Sequence, residues 1–437
     1  MKRAQRYARG KPAMARAGSA PPAAQEQTLE LVEMGTRGDA VAAGESGPIY
    51  VAYGLPGETV RAAVIGERGR LLSIERASQE RVGAPCSHFG VCGGCQLQHW
   101  DDQATLSWKR QQVVAALAKR GLEAQVDETI AAWGAGRRRI GLHVARDGRD
   151  VRFGFVERGT ARISPISMCP AMTPGLAAKL GALKTLALGY APQRGEAILQ
   201  VLETETGLDV DIKGAGGAEA FDRSGFVAAA QAAEVADVAR LSIAGEVLVE
   251  RRTPMLSMGL ARVRPPPGCF TQPTVLGEET LVALTLAAIG EGPKRVADLF
   301  CGVGTFALRL AQTAEVWAVD GEAAMLAALK AGGDGAGGAI KTITTTRRDL
   351  LRQPVSGLEM KKIDAVVFDP PRCGARLQAE QIAASGASRV AAVSCDPATF
   401  ARDARVLVDA GFTLSRVSPV DQFHWSAHVE VVGAFER

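Results

Sequence analysis

Between Thr28 and about Arg81 apolar and polar residues alternate in short runs, from LELVEM to LLSIER, broken by glycines and two prolines. Alternation with period two marks half-buried strands. The spacing predicts a small five-stranded barrel, a shape that grips single-stranded nucleic acid but also occurs as a plain β-domain. WKRQQVVAALAKRG (108–121) then carries helical apolar spacing and a glycine stop. Alternation returns around the Arg146-Asp147-Gly148 turn, in AILQVLETETGLDVDIKG and in GEVLVERR. Residues 82–268 therefore read as a mixed, mostly antiparallel middle domain, although the 101–121 helix is free to pack elsewhere. RPPPGCF is a plausible hinge. From 269 to 437 strand-like runs alternate with helical stretches, which predicts a doubly wound parallel sheet with its crevice at the strands' C-terminal ends. The expected class is α/β plus β, with domains at 28–81, 82–268 and 269–437 after a tail at 1–27.

A chain of 437 residues is long enough for two or three cores, and no apolar run spans a bilayer. The net charge of +4 is mild, but Lys2, Arg3, Arg6, Arg9, Lys11 and Arg16 crowd a start without acids. Such a segment is expected to be disordered, as an arm for RNA phosphates or as a targeting segment. Eight cysteines without a secretory leader point to a reducing, cytoplasmic setting, where clustered thiols bind metal or do chemistry.

Three stretches carry candidate chemistry. ADLFCGVGTFAL is a strand, a tight Gly302-Val303-Gly304 turn and a helix start, and the next strand ends in Asp320. The glycines allow close backbone approach and the acid can accept ribose hydroxyls. Asp298, Gly302, Gly304 and Asp320 together are similar to the S-adenosylmethionine site of class I methyltransferases. In FDPPR, two prolines after Asp369 make a stiff loop that fixes a carboxylate at a strand end. Cys86, Cys92 and Cys95, with Cys169 in SMCP, supply four thiolates suited to zinc or an iron–sulfur cluster. In VAAVSCDPATF, Cys395 ends an apolar strand, a place for buried filler and for a nucleophile alike.

These motifs occur in one order: the β-barrel start, C-x5-C-x2-C with a distant cysteine, DLFCGVGTFAL, FDPPRCGA, SCDPATFARD and HVEVV. The combination resembles the bacterial RNA 5-methyluridine methyltransferases, most closely the 23S ribosomal RNA branch with a TRAM domain and a [4Fe-4S] cluster. It implies a Rossmann-like methyltransferase domain, S-adenosyl-L-methionine and the cluster as cofactors, and RNA as partner. Ribosomal RNA is the first expectation and transfer RNA the alternative, without membrane or obligate protein partner. Residue by residue, the resemblance implies that Cys395 is the nucleophile and Glu430 the general base. Asp369 then lies between cofactor and base, Gln272, Phe300, Thr305, Asp320 and Asp349 line the cofactor, and Cys86, Cys92, Cys95 and Cys169 hold the cluster. Phe270 would stack on the extruded uracil. Two departures stand out: Asp396 replaces the family's usual Asn beside the thiol, an extra charge that would raise its pKa unless turned away, and Phe423-His424-Trp425-Ser426 replaces Phe-Pro-x-Thr. A rival reading is an RNA-binding assembly factor that has lost catalysis.

Overall fold

The computed structural model describes residues 24–148, 150–192, 194–214 and 230–437. The expected basic tail lies almost wholly outside the described residues. Its last part does not: β1 begins at Gln25, so residues 25–27 belong to a strand rather than to a tail. Two compact units emerge, one of 24–35 with 39–78, the other of 36–38 with 79–437.

In the first unit β1 (Gln25–Met34), β2 (Asp39–Gly44), β3 (Gly47–Ala52), β4 (Thr59–Ile65) and β5 (Arg68–Arg76) close into a barrel in the order β1-β2-β3-β5-β4. Alternation explains its core: Leu29, Leu31, Val51, Val60 and Ala62 point inward and are buried. Buried Glu58 takes the Leu55 N–H at 2.9 Å, and closure leaves no free sheet edge.

The second unit holds two large sheets. Helix α1 (Asp102–Ala118) and β6 (Ile130–Ala131) precede the middle sheet. That sheet comprises β7 (Arg139–Asp147), β8 (Asp150–Val156), β9 (Ile163–Pro165), β10 (Ala197–Thr204), β11 (Gly207–Lys213), β12 (Val238–Ile243) and β13 (Glu246–Glu250), in the order β13-β12-β11-β10-β7-β8-β9. Only β11 and β12 run parallel, and α2 (Pro174–Ala178) and α3 (Leu180–Leu188) bury its apolar face. A hairpin, β14 (Leu256–Met258) and β15 (Ala261–Val263), leads into α4 (Val275–Ile289).

The last sheet follows with β16 (Arg295–Leu299), α5 (Ala307–Leu310), β17 (Glu315–Asp320), α6 (Ala323–Ala336), β18 (Ile343–Arg347), β19 (Ala365–Phe368), α7 (Arg376–Ala383), β20 (Arg389–Ser394), α8 (Pro397–Asp409), β21 (Thr413–Asp421) and β22 (Glu430–Glu436). Its order is β18-β17-β16-β19-β20-β22-β21-β6. Strands β16 to β20 are parallel, and β22 runs against both its neighbours. Strand order reverses between β16 and β19, the switch point where open α/β sheets bind ligands. Successive residues of β16 serve opposite cores: Val296 packs with α4 and α6, Ala297 and Leu299 with α1, α7 and α8.

Two elements expected in the middle domain belong to this sheet. β6 pairs with β21 through Ile130 and Ala131, and α1 packs on α8 and β21. The boundary drawn at 268 therefore does not separate compact units. Burial explains the recruitment, because Val113 and Leu117 of α1 complete the core around Phe400, Leu407 and Phe412. The helix starts as expected after Asp101, which caps it by accepting the Gln103 and Ala104 N–H groups, and ends at Ala118. Among the described residues no helix is long and apolar enough to cross a membrane.

Candidate active site

Sheet register assembles the site. Ser394, the last residue of β20, pairs with Val431, so Cys395 emerges beside Glu430, the first residue of β22. One strand over, Asp369 follows Phe368 at the end of β19, its N–H directed to the Leu299 carbonyl at 3.3 Å. Val420 pairs with Glu430, which brings the end of β21 to the same crevice. Side chains from four strand ends thus meet at the C-terminal edge of one sheet.

A chain of amides links the carboxylates. Gln422 Nε2 donates to Glu430 Oε1 at 3.1 Å and to Gln272 Oε1 at 2.7 Å, and Gln272 Nε2 donates to Asp369 Oδ2 at 3.4 Å. Helix α4 can close over Gln422 because Gly277 lacks a side chain; a Cβ there would stand 2.5 Å from Gln422 Oε1. Burial, reinforced by the neighbouring Asp369 carboxylate, raises Glu430 to about 8, and burial raises Asp369 to about 7. The two acids therefore titrate as a pair around and above neutrality, well above the usual carboxylate range. The Cys395 thiol is pushed up to about 12 by burial, then by the Glu430 and Asp369 carboxylates, with the Arg372 guanidinium acting the other way. The worry over Asp396 is answered by geometry. Its Oδ1 caps α8 by accepting the Ala398 and Thr399 N–H groups, and its Oδ2 lies 3.4 Å from Arg372 Nε.

The cofactor candidates gather at the switch point. Phe300 turns the chain after β16 with φ +64°, and its N–H binds the Val319 carbonyl. Gly302 donates its N–H to Asp320 Oδ2 at 3.0 Å, while Glu322 N–H binds Oδ1 at 2.8 Å. Gly304 adopts φ +100°, and a Cβ there would lie 2.4 Å from Leu329. Asp298 is fully buried beneath this loop, and burial holds its carboxyl far above the usual range. Thr305 carbonyl accepts from Arg309, and Asp349 accepts the Leu351 N–H at the end of β18, next to Gly321. Phe270 is 56% exposed, with the Arg139 guanidinium 4.5 Å from its ring centre.

All four candidate ligand cysteines, Cys86, Cys92, Cys95 and Cys169, line one cavity of about 340 Å³ in the second unit. Burial raises the Cys92, Cys95 and Cys169 thiols, Cys95 to about 11, while Arg137 opposes the rise at Cys95 and Cys169. Among the described residues no three His, Cys, Asp or Glu side chains are placed to hold a single metal ion. Cys301 and Cys269 are buried, and Cys373 is exposed.

Sequence reasoning missed Gln422, which links Gln272 to Glu430, and the buried ion pair behind it. Lys109 Nζ lies 2.6 Å from Asp421 Oδ1, both side chains fully buried, and also reaches the Phe423 carbonyl. The available signal was position: Asp421-Gln422 ends an apolar strand at the same sheet edge as Cys395, where chemistry collects.

No family model matches the chain. Among curated proteins, an uncharacterized RNA methyltransferase of Caulobacter vibrioides is 46% identical, spanning 94% of this chain and all of that protein. A second uncharacterized RNA methyltransferase, from Rhizobium meliloti, is 41% identical over 94% of this chain and 99% of its own length. At 27% identity, over 95% of this chain and 97% of its own, stands the 23S rRNA (uracil(1939)-C(5))-methyltransferase of Vibrio vulnificus. The crystal structure of Pyrococcus abyssi tRNA (uracil-54, C5)-methyltransferase with S-adenosyl-L-homocysteine has the same fold, with TM-score 0.73 and 20% identity, covering 93% of this chain and 99% of that one. A crevice at the switch point of a class I sheet, matched along nearly its whole chain by proteins of one kind, has one reading: the chain belongs to the RNA methyltransferases.

Proposed function

We propose that the protein methylates C5 of a uridine in ribosomal RNA, using S-adenosyl-L-methionine and a covalent bond from Cys395 to the base. The observation that carries this reading is the meeting of Cys395, Glu430 and Asp369 at one sheet edge, tied by Gln422 and Gln272. Uracil C5 is a weak nucleophile until a thiolate adds to C6 and makes the ring an enolate. Cys395 forms that bond, and the enolate's C5 accepts the methyl group. Glu430 then takes the proton from C5, the C6–S bond breaks, and the thiolate is restored. Asp369, at the end of β19 beside this pair, stands where it can hold the uracil edge and place C5. The thiol of Cys395 is unreactive while its pKa stays near 12. Burial is the largest cause of that rise and the two carboxylates come next, so the addition needs the thiol's proton to be drawn off within the RNA complex.

The residues fit the methyl donor. Gly304 cannot bear a side chain, and Asp320 is held by two backbone N–H groups with lone pairs left for ribose hydroxyls. Asp320, Gln272, Phe300, Thr305, Asp349 and the Gly302–Gly304 turn would hold it, and when bound it supplies an electrophilic methyl group. The gathering of the four cysteines around one cavity, three of them close in sequence and one distant, supports a [4Fe-4S] cluster. Cys86, Cys92, Cys95 and Cys169 would hold the cluster, which supplies a rigid clamp and no electrons to the methyl transfer. The barrel is read as a TRAM-like RNA grip, supported by its closed five-stranded form. Ribosomal RNA is preferred because the 23S rRNA enzyme of Vibrio vulnificus is 27% identical over 95% of this chain.

Mass spectrometry of ribosomal and transfer RNA from a deletion strain tests the activity. One 5-methyluridine should vanish from 23S rRNA and return with the wild-type gene; unchanged 5-methyluridine in both RNAs overturns the reading.

A further inference from the structure

The segment that departs most from the family pattern builds a feature of its own. Trp133, from the loop after β6, stacks on His424 with ring centres 4.0 Å apart and planes 9° apart. On its other side His424 stacks on Trp425, at 3.9 Å and 20°. His424 is pinned by Asp102 at the start of α1, 3.0 Å from its Nε2. Trp425 is held in the left-handed region, φ +60°, and its carbonyl accepts the Gln96 and Leu97 N–H groups at 2.8 and 3.0 Å. A large residue kept at positive φ persists only where its surroundings fix it, which marks functional sites.

These rings border a cavity of about 240 Å³, whose lining includes Trp133, Arg137, Thr274, Gln422, His424 and Trp425. Its volume is on the order of eight waters, room for one planar ring system. The lining includes three aromatic rings, a guanidinium and an amide. Gln422 connects it to the chemistry, since the same side chain donates to Glu430. An occupant of this cavity is thus one side chain away from the residue read as the general base.

We propose that this cavity is a second nucleobase subsite, holding an unpaired base that flanks the target uridine, stacked against the Trp133–His424–Trp425 rings with Arg137 toward its phosphate. The inference rests on the RNA uracil reading above. Aromatic faces accept any base, whereas a compact anion would gain nothing from three neutral rings. Extrusion of the target uracil leaves its neighbours unstacked, and a protein platform replaces the lost stacking.

The test uses single-stranded RNAs spanning the methylated uridine, each with one abasic flanking position, and the full-length protein. Both methylation kinetics and equilibrium binding are measured. One abasic position should raise KM and Kd on the order of tenfold with kcat at saturation little changed. Trp133→Leu should show the same loss with intact RNA and no further loss with that abasic RNA, while Trp133→Phe retains most affinity. Indifference of the wild-type protein to every flanking abasic site in both measurements overturns the proposal, whatever the variants do. Multiplying losses for variant and abasic RNA overturn it too. Methylation that persists with such indifference leaves the uracil reading standing, whereas absence of methylation on intact RNA counts against that reading and leaves binding to decide the subsite.

Discussion

At the scale of single residues, the site holds three groups away from their ordinary protonation. Burial and the Asp369 carboxylate push Glu430 to about 8, against roughly 4.3 in an unfolded chain. Between those values the folded protein keeps a proton that the unfolded chain releases. The raised pKa therefore contributes stability at low pH that is lost as pH rises through the folded value. Glu430→Gln, which keeps the acceptor for Gln422, should melt higher than wild type by a margin that grows from pH 5 to pH 8.5, reaching on the order of 5 °C. A constant margin across that range would contradict the assigned ionisation. Methylation should be lost in the same variant, whereas wild-type kcat/KM should climb from pH 6 to pH 8.5 as the acids ionise as a pair. A profile falling over that range would exclude Glu430 as the base. At this scale the sequence was most legible. Cys395 and Asp369 stand at the ends of apolar runs, where strand ends place chemistry, whereas Glu430 was reached through the family resemblance alone. Gln422 was not, because its meaning comes from Gln272, 150 residues away.

Among elements, the informative surprise is α1. Its amphipathic pattern was readable, but the sheet it would join was not. Helical spacing shows that a face will be buried and is silent on the partner. Its Lys109 reaches the end of β21, where the Lys109–Asp421 pair and the Phe423 N–H bond to Asp421 set the turn that carries Gln422. Among the described residues Asp421 Oδ2 has no hydrogen-bond partner, so the buried carboxylate relies on Lys109 for charge balance. Burial lowers the Lys109 pKa and the Asp421 carboxylate resists the drop. Lys109→Met would leave a carboxylate buried without its cation and should cost about 3–5 kcal/mol in denaturant unfolding. Loss under about 1 kcal/mol would show that water reaches the pair. β6 was equally hidden, since two residues carry no periodicity.

At the level of the whole molecule, strand rhythm placed the barrel and the doubly wound sheet, yet the middle and last segments share one compact unit. Composition changes near 268 without a break in contacts, which sequence rhythm cannot register. Separate cores predict separable unfolding. All five tryptophans, at 100, 108, 133, 317 and 425, lie in the second unit, while the barrel holds Tyr50 and Tyr53. Tryptophan fluorescence should report one transition in urea, and far-UV circular dichroism should show an additional one from the barrel. Coincident curves would mean that the two units unfold together. In the proposed reading the central event is the addition of the Cys395 thiol to a pyrimidine, which a 5-fluorouridine at the target position should arrest. Carbon–fluorine cleavage cannot replace proton removal, so the covalent complex should accumulate in the presence of S-adenosyl-L-methionine, stable to denaturing gels, with the RNA fragment mapped by peptide mass spectrometry to Cys395. Sustained methylation of natural RNA alongside fluorinated RNA that never becomes bonded to Cys395 would contradict it.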